Sequence, residues 1–178
     1  MVNGLILSIK NRQDYRGFIE NYKLERNNIE LGFESAKRSG NLQSFSFDSG
    51  VYLLELFVFK PIKIEVGARG KEVFPPGYYY YAGTAQNNLN ARIQRHKKND
   101  VNKHWHIDYL LEEAVIQDVY AWPESAEWEC KLAAELLDKE EAEMVSPGFG
   151  ASDCSCDTHL IYFPQPLAAE IIEEVVQL

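Results

Sequence analysis

The sequence predicts an α+β fold, a small and mainly antiparallel sheet flanked by helices, with an N-terminal extension. Three observations predict it. Strand-like runs crowd residues 50–83 (GVYLLELFVF, IKIEV and YYYYAG), with connections too short for parallel crossovers. Two more β-rich runs follow, VIQDVYAW at 115–122 and THLIYF at 158–163. Between and after them apolar residues recur at helical spacing. Such an order of elements belongs to the α+β class.

The N-terminal stretch reads as a separate helical unit. LILSI can form a short strand. Asp14 is a plausible N-cap for a stripe of Tyr15, Phe18, Ile19 and Tyr22, and the Asn27–Asn28 pair breaks the pattern. A second short helix is predicted over 29–36, and the Gly, Ser and Asn content of 39–49 reads as a linker. No residue type here points to chemistry, so a structural or dimerisation arm is the simple reading.

From Gly50 onward the expected elements follow in order. The first β-run is interrupted by Pro61. Ile62, Ile64 and Val66 then alternate, Gly67 and Gly70 mark a turn, and EVFPPG marks another before the tyrosines. The expected result is a three-stranded meander. A helix is predicted over 87–98 with Leu89 and Ile93 inward, and another over 106–113. A third spans 125–138 with Trp128, Leu132 and Leu136 on one stripe, and the last runs from Leu167 with Ile171, Ile172, Val175 and Val176 inward.

Composition narrows the classes of function. At 178 residues, 46% hydrophobic and 25% charged, the chain can bury a core without disulfide staples. Its 27 acidic against 18 basic residues give a net charge of −9, which argues against nonspecific nucleic-acid binding by overall charge but leaves room for a local basic cleft. No apolar run approaches a membrane span, and the first residues do not read as a secretory signal. Cys154 and Cys156 are too close for an easy disulfide and the cysteine count is odd, so a reducing, cytoplasmic compartment is expected.

Four stretches carry candidate chemistry. After Gly83, Arg92 and His96 share a helix face with Arg95 beside them. Guanidinium forks suit phosphate, and a Gly turn feeding a helix N-terminus would add backbone donors. In KHWHIDYLL, His104 and His106 can ligate metal or contact phosphate, with Asp108 orienting one of them; equally the stretch can simply start a helix. Cys154-x-Cys156 followed by His159 invites a zinc reading, completed by His104, His106 or Cys130, although the spacing is narrower than usual and buried thiols are the simpler alternative. Glu129 sits at the edge of the apolar stripe of its helix, where most such residues face solvent.

Gly50-Val51-Tyr52 on one strand, Tyr81-Ala82-Gly83 on another, Arg92 on the next helix and Glu129 on a later one resemble the GIY-YIG nuclease superfamily. With KHWHIDYLL, the Glu129-Cys130 pair and GFGASDCSC-x-x-HL, the chain resembles a branch of unknown function that also occurs fused to endonuclease III-type DNA glycosylases. The resemblance covers residues 48–164, leaving 1–47 as the extension and 165–178 as a C-terminal helix packed on the domain. It implies a magnesium-dependent endonuclease acting on DNA in repair. Tyr52 would be the general base, Tyr81 would position water or phosphate, and Arg92 would bind the scissile phosphate. His96 would be a further active-site residue and Glu129 the metal ligand, with Glu127 competing. Gly83, Arg95, Lys103, His104 and His106 would line the substrate, and Lys97 and Lys98 would join them in a DNA-facing patch. A DNA-repair protein is an expected partner. The long interval between Tyr52 and Tyr81 implies an inserted strand or loop near 60–76. A module that binds nucleic acid or nucleotides without cleavage, or a zinc-stabilised structural protein, are the alternatives.

Overall fold

The computed structural model describes residues 37–38, 44–98 and 102–176. The chain divides into two units, Met1–Glu34 and Ser35–Leu178. The helices expected before residue 37 and most of the 39–49 linker lie outside the described residues.

The second unit is α+β. A five-stranded, wholly antiparallel sheet has the order β1-β6-β2-β5-β7, formed by β1 (Lys37–Arg38), β2 (Gly50–Val58), β5 (Gly77–Ala85), β6 (Val115–Trp122) and β7 (Leu160–Phe163). Four helices flank it among the described residues: α1 (Leu89–Lys97), α2 (His106–Leu110), α3 (Glu127–Leu137) and α4 (Ala169–Val176).

Strand β2 is central, and every one of its residues is buried. Its near-continuous apolar run is explained by two cores, one on each face. Tyr52, Leu54, Leu56 and Val58 point into one core with Leu89 and Ile93 of α1 and Ile107 and Leu110 of α2. Val51 and Leu53 point into the other with Leu132 and Leu136 of α3 and Ile172 and Val175 of α4. The four consecutive tyrosines of β5 divide in the same way. Tyr79 and Tyr81 enter the first core, while Tyr80 is buried in the second and Tyr78 packs against it.

The expected meander is not what forms. β2 pairs directly with β5 across nine residues, and the intervening run folds on itself as a separate two-stranded sheet of β3 (Ile62–Glu65) and β4 (Lys71–Phe74). Prolines explain the detachment. Pro61 precedes β3, and Pro75-Pro76 follow β4, so ladder donors are missing where the run would have to join the main sheet. The EVF of the expected turn becomes β4 itself.

A β-bulge interrupts the β2–β6 ladder between Glu55 and Leu56, so that Glu55 faces Asp118 while Leu56 faces Ile116. Asn90 pins the segment before β2 to α1: its side chain accepts from the Phe45 N–H and donates to the carbonyls of Phe45 and Phe47.

Gly83 is a requirement of this pairing. It lies directly opposite Tyr52, whose ring covers it, and a Cβ built there would sit 2.3 Å from Tyr52 Cζ. Gly83→Ala should therefore cost about 2 kcal/mol or more by denaturant unfolding. In combination with Tyr52→Ala the loss should be clearly smaller than the sum of the single losses; simple additivity would rule out the contact.

Candidate functional site

The site is built where β2 and β5 meet α1 and α2. Tyr52 is 2% exposed, and its hydroxyl lies 2.9 Å from His96 Nε2. His96 continues the inward stripe of Leu89 and Ile93, so it is buried rather than displayed. Its Nδ1 faces Asp108 Oδ1 at 3.8 Å, too far for a hydrogen bond. A proton on Nδ1 is favoured by that carboxylate, which makes Nε2 the acceptor and Tyr52 the donor.

The charges around this pair have clear directions. Burial holds His96 down to about 4, opposed by Asp108 and reinforced by Arg95 and Arg92. Burial likewise pushes Tyr52 far above the usual tyrosine range. Arg92 opposes that shift, while Glu129 and Asp108 add to it. Tyr81 is raised for the same reason, burial first and then the charges of Tyr52, Glu129 and Asp108, against Arg92. Tyr52, Tyr81, Arg92, Asp108 and Glu129 thus share one electrostatic neighbourhood.

Arg92 and Arg95 both stack on Trp105, each guanidinium carbon 4.4 Å from the ring centroid. Arg92 also donates to the Thr84 carbonyl at 3.2 Å and stays partly exposed. Arg95 is committed within the protein. It donates to both oxygens of Asp108, at 2.8 and 2.9 Å, and to the Asn102 carbonyl at 2.7 Å. Its fork therefore ties α1 to α2 instead of facing a substrate.

Asp108 is the organiser that sequence reasoning undervalued. Besides Arg95 it accepts the backbone N–H groups of His104 and Trp105, at 2.8 and 3.0 Å. Burial alone would raise its pKa; Arg95 and those two donors reverse the effect, leaving it below the ordinary carboxylate range. An acidic residue three positions after a helix cap was the available signal.

Two expectations do not survive. The strand continues through Gly83 to Ala85, so Gly83 makes no turn into α1. The Leu89 N–H at the start of that helix is taken by the Asp48 carbonyl, with the Asp48 carboxylate beside the Asn90 N–H, so the helix start faces an acid and not an anion site. The histidines of KHWHIDYLL also separate. His104 packs edge-on against Trp105, whereas His106 accepts the Gly150 N–H at 3.1 Å and lies against Phe149. One precedes the cap and the other opens the helix, so their side chains diverge. Lys103 is paired with Glu112 at 2.7 Å.

Glu129 lies in the first turn of α3, partly exposed, with Oε1 3.5 Å from His159 Nδ1. Glu127 is exposed, and it is Glu129 whose charge reaches Tyr52 and Tyr81. Beside Glu129 the thiols of Cys130, Cys154 and Cys156 gather with His159 Nε2, which lies 3.7 Å from Cys130 Sγ and 3.4 Å from Cys154 Sγ.

The fold and site define a class: an antiparallel α+β domain with a buried tyrosine–histidine pair beneath arginines stacked on a tryptophan. The sequence profile of a family described as a domain of unknown function, DUF123, matches residues 38–178, and the chain belongs to that family. Comparisons with curated proteins and with solved structures return no match.

Two tests follow from this geometry. His96 takes its proton at about 4 in the fold but at about 6.5 in the unfolded chain. The stability its neutral form contributes is complete above that upper value and is lost as pH falls toward the lower one, about 3 kcal/mol in all. His96→Gln should flatten the fall of unfolding free energy between these limits; an unchanged slope would assign the acid sensitivity to other groups. Asp108→Ala strands Arg95 and two backbone donors, so its unfolding free energy should drop by about 3 kcal/mol, with Asp108→Asn intermediate.

Proposed function

We propose that this domain is a metal-dependent endonuclease that hydrolyses DNA phosphodiester bonds, working in DNA repair in the cytoplasm. The observation that carries the reading is the buried Tyr52–His96 contact beside Arg92, with Tyr81 and Glu129 in the same field. A tyrosine is a poor base in isolation, and this arrangement offers both of the things it needs. His96 Nε2 would accept the Tyr52 hydrogen bond and orient the phenolic oxygen, and the positive charge of Arg92 would ease the loss of its proton. Arg92, partly exposed and steadied by Trp105, can bind the scissile phosphate and offset charge growing on its oxygens. Tyr81 borders the same space and can orient water or phosphate.

Glu129 fits a magnesium ion in donor chemistry, since that ion is commonly held by one carboxylate with the rest of its shell from waters and phosphate oxygens. Bound there, it would supply positive charge at the reacting phosphate. The DNA-facing charge would come from Arg92 on α1 and Lys98 at its C-terminal cap, because Arg95 and Lys103 are paired with Asp108 and Glu112. No helix among the described residues is long and apolar enough to cross a membrane.

One observation favours a second reading, a module that binds nucleic acid or nucleotides without cutting. Tyr52 is almost wholly buried and its proton is held tightly.

Assays on branched, nicked and single-stranded DNA with magnesium separate the two. Under the first reading Tyr52→Phe and Arg92→Ala should each lower cleavage by about a hundredfold or more, and Glu129→Ala should raise the magnesium requirement. Retained binding with no cleavage of any substrate would select the second.

A further inference from the structure

We propose that Cys130, Cys154, Cys156 and His159 form a zinc site. Their ligand atoms all lie within 4.8 Å of one another, although Cys130 comes from α3 and the other three from the segment leading into β7. A tetrahedral zinc ion with ordinary bond lengths sets its sulfur–nitrogen edges at about 3.5 Å and its sulfur–sulfur edges at about 3.8 Å. The observed sulfur–nitrogen separations, 3.4 and 3.7 Å, are the edges of such a tetrahedron.

The donor set selects the ion. Three thiols and an imidazole are soft ligands at a four-coordinate site, a combination that suits zinc over magnesium or calcium. Four protein ligands fill the coordination shell and leave no position for water or substrate, so the ion is structural. All three cysteines are free of disulfides. On binding, each thiol would give up its proton to solvent.

His159 has the orientation of a metal ligand. It is 1% exposed, its Nε2 faces the thiols, and its Nδ1, without a hydrogen bond, faces Glu129 Oε1 at 3.5 Å. Zinc on Nε2 fixes the proton on Nδ1, and a carboxylate behind that proton is the usual outer partner of a zinc-bound histidine. Glu129 is therefore a positioning residue for this ion, whatever else it holds. The site also reaches the tyrosine pair. The His159 carbonyl accepts the Ala82 N–H at 3.0 Å, and a Cβ on Gly150 would be 3.0 Å from both His159 and Tyr81. Zinc would clamp the first turn of α3 to β7 and so fix Glu129 relative to Tyr81. This assignment is independent of the nuclease reading.

The test is metal analysis of the full chain, purified without chelators, loaded with zinc and dialysed. One zinc per chain is expected, released when the thiols are titrated with a mercurial. Cobalt in its place should give thiolate charge-transfer bands and the intense visible spectrum of a tetrahedral site. Cys154→Ser with Cys156→Ser should abolish retention. Glu129→Gln should keep the stoichiometry but weaken affinity about tenfold to a hundredfold in chelator competition. Because the cysteine variant can fail to fold, thiol reactivity of the wild type is measured as well, and zinc should protect the three cysteines. Zinc-free wild type after loading, equal thiol reactivity with and without zinc, or retention by the double cysteine variant would each overturn the proposal.

Discussion

The bond between the Tyr52 hydroxyl and His96 Nε2 joins the sheet to its helical layer. Tyr52 lies in the central strand, covers Gly83 on its neighbour, and reaches into α1 at His96. Each of those contacts depends on the others. Without a glycine opposite, the ring could not lie down; without the ring there, a buried imidazole would lose its hydrogen-bonding partner. A polar contact at such depth is favourable because both groups are neutral, and burial keeps them neutral from opposite sides. It raises the proton affinity of the tyrosinate and lowers that of the imidazole.

Charge is kept at the margin of this contact and held there by a second network. Asp108 binds Arg95 through both oxygens and closes the turn before α2 through two backbone donors. Trp105, placed by that turn, carries the guanidinium groups of Arg92 and Arg95. One carboxylate thus sets the position of two cations with different fates. Arg95 is spent in holding the helices together, whereas Arg92 keeps an exposed side. A similar division holds across the sheet, where Glu129 stands between the tyrosines and the cysteine–histidine cluster and acts electrostatically on both.

Much of the fold was legible because hydrophobic period and turn residues are local. The runs expected over 50–59, 78–83, 115–122 and 158–163 became the strands Gly50–Val58, Gly77–Ala85, Val115–Trp122 and Leu160–Phe163 with their ends shifted by up to two residues, and the stripes at Leu89 and Ile93, at Leu132 and Leu136, and at Ile172 and Val175 became the inward faces of helices. Strand pairing was less legible. Ile62, Ile64 and Val66 alternate as well as any edge strand does, and alternation carries no information about which neighbour is joined. Helix spacing likewise put Arg92 and His96 on one face, but could not say that His96 points into the core while Arg92 remains at the rim.

By itself the sequence determined the class of fold, the strands and helices, and the residue types available for chemistry, since each follows from neighbours a few positions apart. Only the tertiary structure decided which of those residues meet. Tyr52 and His96, Arg95 and Asp108, and Cys130 and His159 are each brought together across intervals that no local pattern spans. The physical reason is that burial and charge pairing are properties of the packed chain. The same arginine is a substrate ligand or a strut according to whether a carboxylate, fixed elsewhere, reaches it first.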